Sequence, residues 1–292
     1  MRIGRFARRT TPVLIAATLI AAAPSAWAEA TDAYYERPLV LAAHDRCDLF
    51  EPGLVRALDA ARLSARGSAL RAGAEARDLR LAGQRARTRA ASLACADSDL
   101  RLVRTRVTEA FAGWARMARM TFAGGKAGWT ADRTVQTYDA WRLAQTSATG
   151  GSPVTFGLAA DADGTERVQG VVSFVGRPRP YAARIVMRDA ERARHAVPGQ
   201  LPDPVQRRAF WASRNHTAAR GLLSRDRKAG DAWTFPADTL DALARLDPRE
   251  PFVIEFLFRD DSVAKATFEA GDIAAARAFV AMGPVRPGSG PA

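Results

Sequence analysis

Three histidines, two cysteines and many arginines are the residues of this chain whose chemistry reaches beyond packing. His44, His195 and His216 lie far apart in sequence, without the i, i+4 or short-loop spacing of a zinc site, so they suggest no metal centre. Ser262-Val-Ala-Lys265 matches Ser-x-x-Lys, a pattern that works where a helix places nucleophile and base on one face. Here it falls in an alternating, strand-like stretch, in which positions i and i+3 point to opposite faces. Asp161-Ala-Asp163-Gly164-Thr-Glu166 shares a fragment with calcium loops, but the other ligand positions and the terminal glutamate spacing are absent. Asp163-Gly164 reads instead as a hairpin turn. The G-x-S-x-G elbow, the Walker loop, the dinucleotide fingerprint and a C-x-x-C pair do not occur. The residue inventory therefore points to no catalytic centre, metal or cofactor.

Charge is the remaining chemical signal. The whole chain has 43 basic and 31 acidic residues, a net +12, and nearly all the basic ones are arginine, with lysine only at Lys126, Lys228 and Lys265. Residues 29–176 carry 20 basic and 17 acidic groups, and residues 229–292 carry 6 and 10. Residues 177–228 carry 13 and 4, so this segment concentrates the net charge. Within it Arg207, Arg208, Arg214, Arg220, Arg225, Arg227 and Lys228 surround Phe210, Trp211, Asn215 and His216. A guanidinium fork grips carboxylate or phosphate with two bonds, and a neighbouring aromatic can stack on a ring. The expected binding residues are Arg207, Arg208, Trp211, Arg214, His216, Arg220, Arg225, Arg227 and Lys228, and the expected partner is an anion.

The N-terminus indicates which anions are at hand. Arg2, Arg5, Arg8 and Arg9 precede an apolar run from Pro12 to Ala23 and an Ala26-Trp27-Ala28 cleavage site, the pattern of a secretory signal peptide over residues 1–28. An apolar run of about twelve residues is too short to span a bilayer, which takes about twenty. Cleavage after Ala28 would leave no transmembrane segment and place the chain, from Glu29 onward, in the periplasm, an oxidising space where disulfides persist. The polyanions there are lipid headgroups, lipopolysaccharide and peptidoglycan rather than nucleic acid.

Several elements must position these groups. Leu54, Leu58, Ala61, Ala65, Ala69, Ala72, Ala76, Leu79, Ala86, Ala90 and Leu93 recur at threes and fours, a narrow helical face made mostly of alanine. A single helix between Cys47 and Cys95 would hold them roughly 60 Å apart, whereas a disulfide needs Cα atoms within about 7 Å. The spacing therefore predicts a helical hairpin turning near Gly73, closed by a Cys47–Cys95 bond that contributes about 4 kcal/mol through loop entropy. A third helix, capped by Asp97 or Ser98, presents Leu100, Val103, Val107, Phe111, Trp114 and Met117 and should pack on the hairpin. Tyr138, Trp141 and Leu143 suggest one more short helix.

Ser147–Pro153 has linker composition, and beyond it the period changes to alternation. Strands are expected over 154–159, 167–175, 181–187, 252–258 and 263–268, and helices over 204–213, 239–246 and 273–282, the last capped by Asp272. The resulting expectation is an α+β protein: a disulfide-closed helical unit (29–146), a linker (147–153), an antiparallel sheet with flanking helices (154–282) and a disordered tail (283–292). Its expected role is a non-catalytic envelope-binding module with a basic surface. The rival is an envelope hydrolase whose acids and His195 or His216 meet between the two halves.

Overall fold

The computed structural model describes residues 26–134, 139–161 and 164–285. Most of the expected signal peptide, Tyr138 and Asp163, and residues 286–292 of the expected tail lie outside them. The described chain opens with four helices: α1 (Ala26–Cys47), α2 (Pro52–Arg71), α3 (Ala76–Ser92) and α4 (Ser98–Arg116). Pro52 begins α2, where its missing N–H removes no helical bond. The limbs of the expected hairpin are α2 and α3, and the chain turns between them at Gly73, whose φ of 100° belongs to the left-handed region. Cys47 and Cys95 are bonded, with Cα atoms 5.4 Å apart.

What closes the alanine faces differs from the expectation. Helix α1, which the spacing analysis leaves unassigned, packs on both limbs. Its Tyr34 clusters with Ala69 and Leu70 of α2 and with Leu79 and Ala82 of α3, while Ala43 clusters with Leu58 and Ala90. Small alanine faces allow this close approach, and α1 supplies the larger side chains. Asp97 caps α4 by accepting from the Asp99 N–H at 2.8 Å. Only Leu100 of α4 is buried throughout; the helix packs on α2, with Phe111 beside the Leu58 and Ala90 cluster, and its Trp114 also reaches Phe279 edge-on at 6.4 Å.

The change from helix to strand comes at Met117–Ala118, well before the expected linker. The strands are β1 (Arg119–Phe122), β2 (Trp129–Asp132), β3 (Ala140–Thr149), β4 (Ser152–Ala160), β5 (Glu166–Val172), β6 (Ala182–Arg188), β7 (Arg207–Trp211), β8 (Arg214–Thr217) and β9 (Asp231–Phe235). Helix α5 (Asp238–Ala244), β10 (Pro251–Leu257), β11 (Val263–Glu269) and α6 (Ile273–Val280) complete the fold. One antiparallel sheet runs β1-β2-β3-β4-β5-β9-β8 and the other β11-β10-β6-β7. Their inner faces share a core: Phe156 of the first packs on Phe252 and Phe268 of the second, with ring centroids 5.3 and 6.0 Å apart. The alternation of Phe252, Ile254 and Phe256 is the one expected, and all three are fully buried.

The remaining differences have local causes. In the described part of that expected helix, Trp141 and Leu143 instead belong to β3, where a bulge between them breaks the two-residue period. The stretch 147–153 is a hairpin, with Ala148 opposite Pro153 and Gly150 turning at a φ of 56°. Small polar residues give such a turn the composition of a linker. Pro204–Ser213 is a short 3-10 turn followed by β7, in which Phe210 faces the core and pairs with Ile185. Gly283–Val285 is held in place: Val285 N–H donates to the Arg133 carbonyl and Arg133 Nε to that of Gly283. Asp272 stands at the N-cap of α6 without capping it by its side chain. Its carboxylate instead takes both ends of the Arg71 guanidinium, one at 2.8 Å, tying α2 to α6. Gly67 makes this possible, since a β-carbon there would lie 1.7 Å from Asp272 Oδ1.

Candidate anion-binding site

The expected basic segment lies mostly on two edge strands, β7 of one sheet and β8 of the other, and in the loop after β8. Most of its cations are engaged locally. Arg207 Nε donates to the Pro202 carbonyl at 2.6 Å. Arg208 reaches Asp238 at 3.3 Å and lies 4.5 Å over the Phe210 ring. Arg220 donates to the Arg227 carbonyl, and Arg227 pairs with Asp226 and donates to the Gly151 carbonyl. Trp211 is half exposed, one face covered by Arg184 at 5.1 Å, and Arg184 in turn pairs with Glu255. Arg214, His216, Arg225 and Lys228 are exposed, and among the described residues their side chains have no ionic partner. The segment is thus a line of dispersed charges in which no cavity collects the nine expected residues.

A different set of arginines converges. A cleft of about 890 Å³ opens between the α2–α3 turn and the sheets. Arg66 enters it from α2, and Glu75, Ala76, Arg77 and Arg80 from the first turns of α3. Arg188, at the end of β6, and Arg194, His195, Ala196 and Pro198, in the loop from β6 to β7, line the opposite wall. Arg245, Asp247 and Arg249 follow α5 and complete the lining. Arg188, Arg194 and His195 of the basic segment 177–228 line this cleft, whereas of the nine expected binding residues Arg207 comes near its wall, pairing across the strands with Arg188.

Buried carboxylates hold the far wall in shape. Glu250 takes Arg188 by two bonds of 2.5 and 2.8 Å and also accepts from the backbone N–H groups of Val197 and Asp247. Both charged side chains are almost fully buried, 6% and 2% exposed, so each needs the other to offset the loss of water. The β6–β7 loop is pinned at three points: Arg188 donates to the Ala193 carbonyl, Val197 N–H to Glu250, and Gly199 N–H to the Arg249 carbonyl. Asp247 receives Arg249 through Nε, Nη2 and the backbone N–H at 2.9 to 3.0 Å. Burial pushes the Asp247 carboxyl up, but the bonds from Arg249 outweigh it and hold the group below the usual carboxylate range. The same bond raises the Arg249 guanidinium further. On the near wall, the Arg71–Asp272 pair and the packing of α2 on α6 fix the α2–α3 turn over the sheets.

The result is a cleft lined by seven arginines and two carboxylates. Arg188 and Arg249 are engaged by carboxylates, and Arg245 approaches Glu191 at 3.9 Å in solvent. Arg66, Arg77, Arg80 and Arg194 have no hydrogen-bond or ion-pair partner among the described residues. Four unpartnered forks facing one cavity make a strong anion trap, because the field of like charges in a cleft is focused and each fork can bind two oxygens. Local sequence analysis misses this site because its arginines come from three separated stretches, and Arg66, Arg77 and Arg80 read as the polar side of a helical pattern.

His195, but not His216, lines the cleft, as do Glu75 and Asp247. His44 serves the fold, accepting from the Phe50 N–H at 3.2 Å. Lys265 pairs with Glu255, and Ser262 Oγ donates to Asp260. Among the described residues no group of His, Cys, Asp and Glu is arranged to hold a metal ion, and no helix is long and apolar enough to cross a membrane. No protein-family model, curated protein or solved structure matches this chain.

Proposed function

We propose that this protein is an exported module that binds an anionic component of the cell envelope, and that the arginine cleft is the seat of binding. The observation that carries this reading is the convergence of Arg66, Arg77, Arg80 and Arg194, unpartnered, on one cavity whose shape is set by buried ion pairs. The buried pairs fix the walls that carry these guanidiniums, whereas the exposed side chains of Arg77, Arg80 and Arg194 are ordered only by the ligand, at a cost in side-chain entropy. The exposed charges of Arg214, Arg225 and Lys228 add long-range attraction that salt screens. Export is supported by the basic N-terminal stretch, its apolar run and the Ala26-Trp27-Ala28 site. The Cys47–Cys95 bond suits an oxidising compartment.

Two variants test the proposal against lipopolysaccharide micelles and anionic lipid vesicles. Replacing Arg66, Arg77, Arg80 and Arg194 with glutamine should weaken binding about a hundredfold or more, since charge-assisted bonds are worth roughly 1.5–3 kcal/mol each. Replacing Arg214, Arg225 and Lys228 with glutamine should lower it only a few-fold and flatten its salt dependence. Equal losses in both variants would move the site to the general surface.

The envelope hydrolase is a second reading, supported by one observation: His195 shares the cleft with Glu75 and Asp247. Asp247 is engaged by Arg249, so Glu75 is the lining carboxylate without such an arginine pair. Turnover of a phosphate or carboxylate ester that His195→Ala abolishes, with ligand binding retained, would establish it.

A further inference from the structure

Resting on the reading of the cleft as an anion site, we infer that its ligand is compact and carries two or more phosphate groups. The cleft is lined by seven arginines against two carboxylates, within about 890 Å³. That volume is the size of a small-molecule site, roughly 300–1,000 Å³. A ligand must bring several negative charges into it to relieve the repulsion among the arginines. A phosphate monoester carries about −1.5 to −2 near neutral pH, whereas a carboxylate carries −1, so two phosphates do in little space what a carboxylate ligand achieves only with three or four groups.

The backbone favours the same chemistry. Helix α3 begins at the cleft, with Ala76 and Arg77 in its first turn and both among the lining residues. Glu75, its N-cap residue, makes no side-chain cap bond, and among the described residues the N–H groups of Ala76 and Arg77 have no backbone acceptor. A helix N-terminus with free N–H groups favours phosphate oxygens, and here it acts beside the forks of Arg77 and Arg80 and against the charges of Glu75 and Asp78.

The composition of the lining favours charge recognition over stacking. Its one aromatic ring is the exposed His195 imidazole, and no Phe, Tyr or Trp lies among the described lining residues to cover a base or a sugar face. Its apolar members are Ala76, Ala196 and Pro198, too little surface to seat an acyl chain. The cleft therefore reads phosphate groups. They can belong to a free oligophosphate or to the phosphorylated headgroup of an envelope glycolipid, whose chains would remain outside.

Titration calorimetry at about 0.15 M salt with tripolyphosphate and with citrate decides the ligand class. Tripolyphosphate should bind at least about tenfold more tightly than citrate, because its oxygens are packed at the spacing that paired forks accept. The double variant Arg77→Lys/Arg194→Lys keeps the charge but loses the forks, and should lose most of that preference while circular dichroism stays unchanged. Equal affinity for both probes, or a preference for citrate, overturns the phosphate inference and leaves the anion-binding reading intact. Absence of binding by both probes and by lipopolysaccharide overturns the two together. Displacement of lipopolysaccharide micelles by tripolyphosphate assigns the site to a glycolipid headgroup. Binding of tripolyphosphate without such displacement assigns it to a free oligophosphate.

Discussion

Two arginine-rich regions of this chain differ in what faces their guanidiniums. In residues 207–228, dense in sequence, Arg207, Arg220 and Arg227 donate to carbonyls of nearby loops and Arg208 meets Asp238. In the cleft, assembled from separated stretches of sequence, Arg66, Arg77, Arg80 and Arg194 converge while Glu250 binds Arg188 and Asp247 binds Arg249. Proximity along the chain is therefore a poor guide to convergence in space. A charge run on exposed edge strands finds carbonyls and acids within reach, whereas the cleft gathers seven arginines around two lining carboxylates, too few to pair them all.

The largest expected effect comes from removing the carboxylate that shapes the cleft. Glu250→Ala leaves Arg188 buried and uncompensated and frees the Val197 N–H. It should lower stability by about 3–5 kcal/mol in denaturant unfolding, and abolish the cleft while the exposed charges of the 207–228 segment persist. An intact protein with unchanged ligand affinity would show that Glu250 does not support the site.

Next in size is the disulfide. Opening the loop between Cys47 and Cys95, 48 residues apart, should cost up to about 4 kcal/mol by chain entropy. Hydrogen exchange in Cys95→Ser should rise across α1–α3, which carry Arg66, Arg77 and Arg80, and change little in β7 and β8. Uniform acceleration over the whole chain would contradict this division.

Gly67→Ala tests the tie between the walls. The added methyl would gain about 1 kcal/mol of helix propensity but must displace the buried Asp272 carboxylate from 1.7 Å away. Overpacking of roughly 1–3 kcal/mol should win, giving a small net loss of stability and a larger loss of ligand affinity. A more stable protein that binds as before would remove the Arg71–Asp272 pair from the account.

The smallest effect is on pH. Because the folded Asp247 carboxyl is held below its ordinary value, its pairing with Arg249 adds stability that is full above about pH 4. That stability is lost as the pH falls through the lower folded value. Acid titration should therefore loosen the Asp247–Glu250 turn, and Asp247→Asn should remove this part of the acid sensitivity.

The legible parts of the fold are those where one local rule decides the outcome. Gly73, close to the midpoint between two cysteines, takes the left-handed turn of a reversal, and Phe252, Ile254 and Phe256 alternate because they form the face of β10 that enters the core between the sheets. The illegible parts depend on partners. Helix α1 has no regular apolar stripe and becomes ordered against α2 and α3, the bulge at Trp141 and Leu143 hides a strand, and β7 is a strand because Phe210 finds β6. The cleft belongs to the same class, since nothing local to Arg66, Arg77 or Arg194 says that these residues meet.

In the proposed binding mode the anion sits on Arg66, Arg77, Arg80 and Arg194 and not on the exposed cations of residues 207–228. Guanidinium Nε–H signals of arginine-labelled protein, assigned by single substitutions, test it during titration with tripolyphosphate. The signals of Arg66, Arg77, Arg80 and Arg194 should shift together and saturate, while those of Arg214 and Arg225 drift weakly and fade with salt. Saturable shifts at Arg214 and Arg225 with the cleft signals unmoved would contradict it.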